Sequence, residues 1–227
     1  MRVDGMLVTT ANPRHEWLHR LLQEKMPLVV LHSTIRSGPV SCVGVDNFQG
    51  GYMATHHLIR SGHRRIGMVA GRFSTSDKSH HRWYGYRKCL QDHGLVYDPK
   101  LLRQYDYSLE NGRQGIKALL FEKPPPTAVF CSNDYLALGA MKGGREMGLH
   151  IPEDLSVVGF DDMPMSAFFN PGLDTVRQPA YEMGEMGAKV LIEAIADPRK
   201  PPVHRLLDLA LIQRGSVTCP GCKQEKH

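Results

Sequence analysis

Short apolar runs alternate with longer segments of helical period along almost the whole chain, and polar turn residues separate them. Val3–Thr9 reads as a strand, and Asn12-Pro13 then supplies an N-cap and a first-turn proline for a helix to about Lys25. Leu28–Leu31 and Val40–Val45 read as strands. Asp46-Asn47 opens a helix carrying Tyr52, Leu58 and Ile59, which Gly62 ends from a C′ position. Arg65–Ala70 is a predicted strand, followed by a helix through Trp83, Tyr86 and Leu90 to Gly94.

The cycle then repeats. Strands are predicted at Leu101–Tyr105, Ala128–Cys131, Leu155–Phe160, Thr175–Arg177 and Leu206–Gln213. Helices are predicted at Leu109–Glu122, at Asp134–Met147, and from Gln178-Pro179 to about Ala196. Strands alternating with helices imply βαβ units and an α/β fold of parallel sheets covered on both faces. The roughly ten strand signals are too many for one small sheet and predict two lobes of about 100 residues each.

In open α/β sheets a ligand sits beyond the carboxyl ends of the strands, so polar residues directly after strand runs are the candidates for binding. They are His32-Ser33, Asp46-Asn47, the segment from Ser74 to His81, Asp106-Tyr107, Ser132-Asn133-Asp134 and Asp161-Asp162. Many hydrogen-bonding side chains with one aromatic platform suit a polar, polyhydroxylated small molecule.

Composition narrows the class. A chain of 227 residues with 41% hydrophobic and 22% charged residues is not a disordered one, and a net charge of +5 is too mild to point to nucleic acid. The longest apolar run, Pro27 to Leu31, is far short of the roughly 20 residues a membrane helix needs. Met1-Arg2 is followed by Asp4 and Gly5 rather than an apolar leader, so the expectation is a soluble cytoplasmic protein without membrane contact. Of five cysteines, Cys42, Cys89 and Cys131 lie singly in apolar stretches and read as buried thiols. Cys219 and Cys222 form a CxxC without the second ligand pair that zinc needs or a following βαβ start, and read as part of an unstructured tail. The adjacent pairs His56-His57 and His80-His81 diverge on a helix, so no metal is expected. No GxSxG, P-loop or paired catalytic carboxylates occur, and neither an enzyme nor a cofactor is expected.

Longer stretches are more specific. VDNFQGGYMATHHLIRSGHRRIGMVAG (45–71), RWYGYRKCLQDHGL (82–95), PTAVFCSNDYLALGAM (126–141) and IPEDLSVVGFDD (151–162) resemble the effector-binding domain of the LacI/GalR family of bacterial repressors. PGLDTVRQP (171–179) and LIQRGSV near the end resemble it too, in the same order. The resemblance implies the two-lobed type I periplasmic binding protein-like fold, a homodimer, and a small-molecule effector, a sugar or derivative, held between the lobes. The sequence opens at VDGMLVTT, which resembles the family's third strand. The helix-turn-helix, the hinge helix and the first two βα units therefore have no counterpart in it, and operator DNA would be reached only through an N-terminal domain outside this sequence. On the same resemblance the incomplete N-terminal lobe is 1–71 plus 178–203, the C-terminal lobe 72–177 plus 204–218, and the tail 219–227. The rival expectation is an extracytoplasmic sugar-binding protein serving a transporter, which shares the fold.

Arg82 stands three residues before Gly85, as in the family's R-x-x-G-(F/Y) pattern, where a guanidinium forks onto ligand hydroxyls or a carboxylate. Asp161, first of the Asp pair after VVGF, is placed to accept from two adjacent hydroxyls. Tyr107 matches the position where relatives set an aromatic ring against the effector. Asn133 either caps its helix or presents its amide, and Asp46 is equally suited to capping. Lys78 and His32 lie in loops expected to face the ligand.

Overall fold

The computed structural model describes residues 3–10, 20–21, 23–24, 26–33 and 38–222. In chain order its elements are strands β1 (Met6–Thr9), β2 (Leu28–Leu31) and β3 (Ser41–Val45), helix α1 (Asn47–Arg60), β4 (Ile66–Gly71), α2 (Asp77–Asp92), β5 (Leu102–Tyr105) and α3 (Leu109–Leu120). β6 (Ala128–Cys131), α4 (Asp134–Glu146), β7 (Ser156–Asp161), β8 (Asp174–Arg177), α5 (Ala180–Ala196), β9 (His204–Leu207) and β10 (Ala210–Ile212) follow. They fall into two units, Met1–Asp46 with Pro179–Leu209 and Asn47–Gln178 with Ala210–His227.

The first unit holds a four-stranded sheet in the order β1-β2-β3-β9, every pair parallel. Its inner strands are apolar except for Ser41 at the start of β3, whose hydroxyl accepts from the Val203 N–H at 3.0 Å, as suits strands buried on both faces. Val29, Val43 and Val45 pack against Met183 and Val190 of α5. Val30 and Cys42, alternating with them, gather with Val8, Leu28 and Leu21. β1 is an edge strand among the described residues. The helix expected from Asn12 to Lys25 lies largely outside them.

The second unit holds a six-stranded sheet in the order β10-β8-β7-β6-β4-β5, parallel except where β10 meets β8. Val69, Val129 and Val157 join Ile116, Leu119, Leu136 and Met141 from α3 and α4 in one core cluster. Met68, Phe130 and Val158, next along the same strands, are buried too, and α1 packs against β7 and β8. The helices pair backbone to backbone. A Cβ on Gly51 would overlap the Arg82 carbonyl and one on Gly85 the Phe48 carbonyl, so α1 and α2 approach through glycines on both sides. Gly112 and Gly139 do the same for α3 and α4. Ser76, Ser108 and Asn133 cap α2, α3 and α4 through their side-chain oxygens, just beyond β4, β5 and β6.

Three expected boundaries move. The crossing placed near Gly71 falls between Asp46 and Asn47, because β4 hydrogen-bonds to β5 and β6 and so belongs to the larger sheet. The last crossing moves from Pro202 to Leu209, because β9 pairs with β3. The single strand expected at Leu206–Gln213 is two strands in different sheets, β9 running parallel to β3 and β10 antiparallel to β8. The tail expected from Cys219 is described as far as Cys222, and those two cysteines form a disulfide.

Candidate functional site

The carboxyl ends of β4, β6 and β7, with the helix starts beyond them, converge on Arg82. This residue sits in the second turn of α2, one turn past a Ser76 cap, and only 3% of it is exposed. Its Nε donates to Asn47 Oδ1 at 2.8 Å and one terminal nitrogen donates to the Ser132 carbonyl at 2.5 Å. The guanidinium lies 3.5 Å from the Phe160 ring centroid and 3.7 Å from Asp161 Oδ1. A flat cation that stacks and forks at once is what guanidinium offers and an ammonium does not. Two protein acceptors thus hold Arg82 in place beside a carboxylate.

Asp161 closes β7 at φ +117°, and Asp162 follows at φ +59°. Two successive non-glycine residues at positive φ are strained, and such strain collects at ligand sites. Asp162 holds the turn from behind, accepting from Arg177 Nε and from Arg214, each at 2.6 Å. Burial pushes its carboxyl up, but the two arginines outweigh burial and leave it below the ordinary aspartate range. Asp161 is the opposite case. Burial raises it to about 6, with the Asp134 charge adding to the rise, while Arg82, Gln178 and Lys78 together fall short of offsetting it. Gln178 Nε2 donates to its Oδ1 at 2.5 Å. Lys78 is pushed down to about 8 by burial and by Arg82, against the pull of Asp77 and Asp161. Burial also raises Asp134, which accepts from Ser166 Oγ and Thr175 Oγ1 at 2.7 Å each and from the Met163 N–H at 2.8 Å.

Tyr107 stands beside this group and remains 42% exposed. Its hydroxyl lies 2.6 Å from Ser79 Oγ and 3.1 Å from Ser76 Oγ. Ser79 Oγ is in turn 3.0 Å from Ser132 Oγ, and both serines accept from the Gly71 N–H. The ring lies across Gly71, where any Cβ would collide with it. A hydrogen-bonded chain therefore runs from the ring to the residue whose carbonyl holds Arg82.

Of the sequence-predicted residues, Arg82, Asp161, Lys78 and Tyr107 belong to this group on the second unit. Asn133 borders it, and its amide oxygen caps α4 by accepting from the Leu136 N–H at 2.9 Å. His32 and Asp46 belong to the first unit. His32 follows β2 at φ +58° with its N–H on Met183 Sδ, and Asp46 directly follows β3. Asn47 and Ser79 lay within the strand-end stretches that the sequence offers for binding, but without a role of their own, and sequence reasoning did not single out Phe160 or Gln178 as site residues. Ser79 carried the further local signal of standing three residues before Arg82 on one helix face.

The group offers one fixed cation, one carboxylate, several hydroxyls and a ring face, which is the equipment for holding a polar ring compound. Among the described residues no cluster of three His, Cys, Asp or Glu side chains is placed to hold a metal, and no helix is long and apolar enough to cross a membrane.

Residues 55–217 match the periplasmic binding protein-like domain family. The chain is 33% identical over 216 residues to the transcriptional repressor CytR of Escherichia coli K12, covering 95% of this chain and 63% of that protein. It is 34% identical over 218 residues to the transcriptional repressor PurR of Yersinia enterocolitica, covering 95% of this chain and 64% of that repressor. The chain thus spans less than two thirds of the length of these relatives. A LacI-family regulator of Enterococcus faecium solved with bound ribose superposes with a TM-score of 0.86 at 31% identity, over 95% of this chain and 80% of that one. The regulator CelR in complex with cellobiose superposes with a TM-score of 0.85 at 33% identity, over 94% and 66% of the two chains. The α/β architecture, the strand-end motifs and these likenesses together place the chain in the LacI family of transcriptional regulators.

Proposed function

We propose that this chain is the effector-sensing part of a cytoplasmic transcriptional repressor. It binds a small polar molecule, a sugar or a close derivative, and so controls the DNA affinity of the whole dimeric protein. The observation that carries the reading is the pairing of a buried, fully oriented Arg82 with Asp161 on strained backbone, beside the exposed ring of Tyr107. Arg82 and Asp161 hold adjacent hydroxyls through charge-assisted hydrogen bonds, and Tyr107 covers a ring face. Binding favours one conformation of the protein over another, and the same free-energy difference reappears in DNA affinity. Ligand-bound relatives support a sugar, with ribose and cellobiose as precedents. That the named relatives are repressors favours this reading over a transport protein. No catalytic step is proposed.

A thermal-shift screen of the purified chain against ribose, cellobiose, other sugars, sugar phosphates and nucleosides tests the proposal. A ligand at 100 times its Kd adds about 2.7 kcal/mol to the folded state. For a chain of this size that is a shift of roughly 5–11 °C. We expect one chemical class to produce it and Asp161→Asn to remove it. A screen without any shift, or a shift that survives both Asp161→Asn and Arg82→Lys, overturns the assignment.

A further inference from the structure

The CxxC near the chain end takes no part in the site described above, yet it is the most deliberately arranged thiol pair in the molecule. Cys219–Cys222 is a β-turn in which the Cys222 N–H donates to the Cys219 carbonyl at 3.2 Å. Pro220 occupies the second position, where its fixed φ is favoured, and Gly221 the third at φ +79°, as a type II turn demands. Such a turn brings its first and last residues together whatever their oxidation state. The two Cα atoms are 5.4 Å apart, inside the range a disulfide spans, and the sulfurs are bonded.

The turn is also seated on the fold. Pro220 packs over Gly62, its Cδ 3.2 Å from where a Cβ on that glycine would lie. Beside it His63 is buried, its ring 2.9 Å from both Thr127 Oγ1 and the Thr218 carbonyl. Burial pushes the His63 pKa down, so the ring is neutral, Nε2–H donating to Thr218 and Nδ1 accepting from Thr127. The Thr218 N–H donates to Ser156 Oγ at 3.1 Å. The residue before the CxxC is thus tied to both the α1–β4 connection and β7.

The remaining cysteines behave differently. Cys42, Cys89 and Cys131 are fully buried and far from one another in sequence. Burial pushes their thiols up, to about 11 for Cys42 and about 12 for Cys89, so the thiolate that attacks a disulfide is suppressed. Cys222, by contrast, is exposed.

We propose that Cys219 and Cys222 form a reversible dithiol–disulfide site, closed by a low-molecular-weight disulfide of the glutathione class, and that closure clasps the chain end onto the α1–β4 turn. The exposed Cys222 thiolate attacks one sulfur of glutathione disulfide and expels a glutathione thiolate. Cys219 then attacks Cys222 Sγ and expels the second, leaving the intrachain bond. Two cysteine thiols are oxidised, one glutathione disulfide is reduced to two thiols, and the two cysteine protons pass to the departing thiolates. A reducing compartment keeps the site open and an oxidising one closes it.

The test takes the whole chain, fully reduced, into buffers of graded glutathione to glutathione disulfide ratio, with acid quenching, alkylation and mass spectrometry. We expect the peptide holding Cys219 and Cys222 to lose two hydrogens without gaining glutathione, while the other three of the five cysteines stay alkylatable once unfolded. Dithiothreitol should restore all five. In Cys219→Ser the glutathione adduct should persist on Cys222, since no second thiol displaces it. Hydrogen exchange at Gly62, His63 and Thr218 should slow on oxidation. Five alkylatable thiols in glutathione disulfide, or a stable adduct on the unmutated chain, overturns the redox site. Exchange that is equal in the two states overturns the clasp.

Discussion

Asp161→Asn separates the ligand role of this carboxylate from its effect on the fold. Asp161 ionises at about 6 in the folded chain, against 3.8 for an ordinary aspartate. Below pH 3.8 the carboxyl is neutral in both the folded and the unfolded state and has no linked effect. Between 3.8 and about 6 the unfolded chain releases the proton first, so unfolding becomes progressively easier. Above 6 the carboxyl is charged in both states and the whole penalty is present. The gap between 3.8 and about 6 corresponds to about 3 kcal/mol. With 29% of the side chain still meeting solvent, that figure is a ceiling. Asparagine keeps the shape, tolerates positive φ and has no charge to desolvate. We therefore expect urea denaturation to show Asp161→Asn and the unmutated chain equally stable near pH 4. At pH 8 the variant should be the more stable by up to about 3 kcal/mol, or roughly 6–12 °C in Tm. Titrations remote from Asp161 are common to both proteins and cancel in the difference, whereas Lys78, which feels its charge and titrates at about 8, does not cancel and trims the gap at pH 8. Parallel loss of stability by the two from pH 4 to pH 8 would refute the claim that Asp161 sits charged against its surroundings. A stabilised variant that no longer responds to effector would show that the buried charge is retained for binding at a cost in stability.

Arg82→Lys, which keeps the charge but not the fork, should lower stability by roughly 1.5–3 kcal/mol through the loss of one buried charge-assisted bond, and should weaken effector binding. Unchanged urea midpoints and titration curves would count against the geometry drawn for it. Tyr107→Phe removes the hydroxyl held by Ser76 and Ser79 and should cost about 1 kcal/mol while keeping the ring face, read as a lower Tm with only a modest loss of binding. Gly139→Ala places a methyl against the Leu109 carbonyl and should destabilise by about 1–3 kcal/mol. A variant as stable as the unmutated chain would mean that α3 and α4 do not cross so closely.

Much of the molecule was legible along the chain because its cause is local. Strand runs such as Ala128–Cys131 and caps such as Ser76 and Asn133 follow from side-chain period and from oxygens that reach their own helix. Asp161 was legible for the same reason, since the end of a strand is visible in the residues that form it, whereas Arg82, inside a helix, was legible only through its resemblance to the family's R-x-x-G-(F/Y) pattern. Sheet membership was not. Ile66–Gly71 is an apolar run like its neighbours, and only pairing with β5 and β6 assigns it to the larger sheet. The Leu206–Gln213 stretch carries no local break strong enough to show that its halves pair in opposite senses with strands far back in the chain. The partners of Arg82 show the same division. Asn47, Ser132 and Phe160 lie 35, 50 and 78 residues away in sequence, and the stacking of parallel strands with a shared carboxyl end brings them together. Hydrophobic period decides what each segment becomes, because it is a property of a few adjacent residues. Strand order and the pKa of Asp161 depend on which distant segments exclude water from one another, and only the folded chain fixes that.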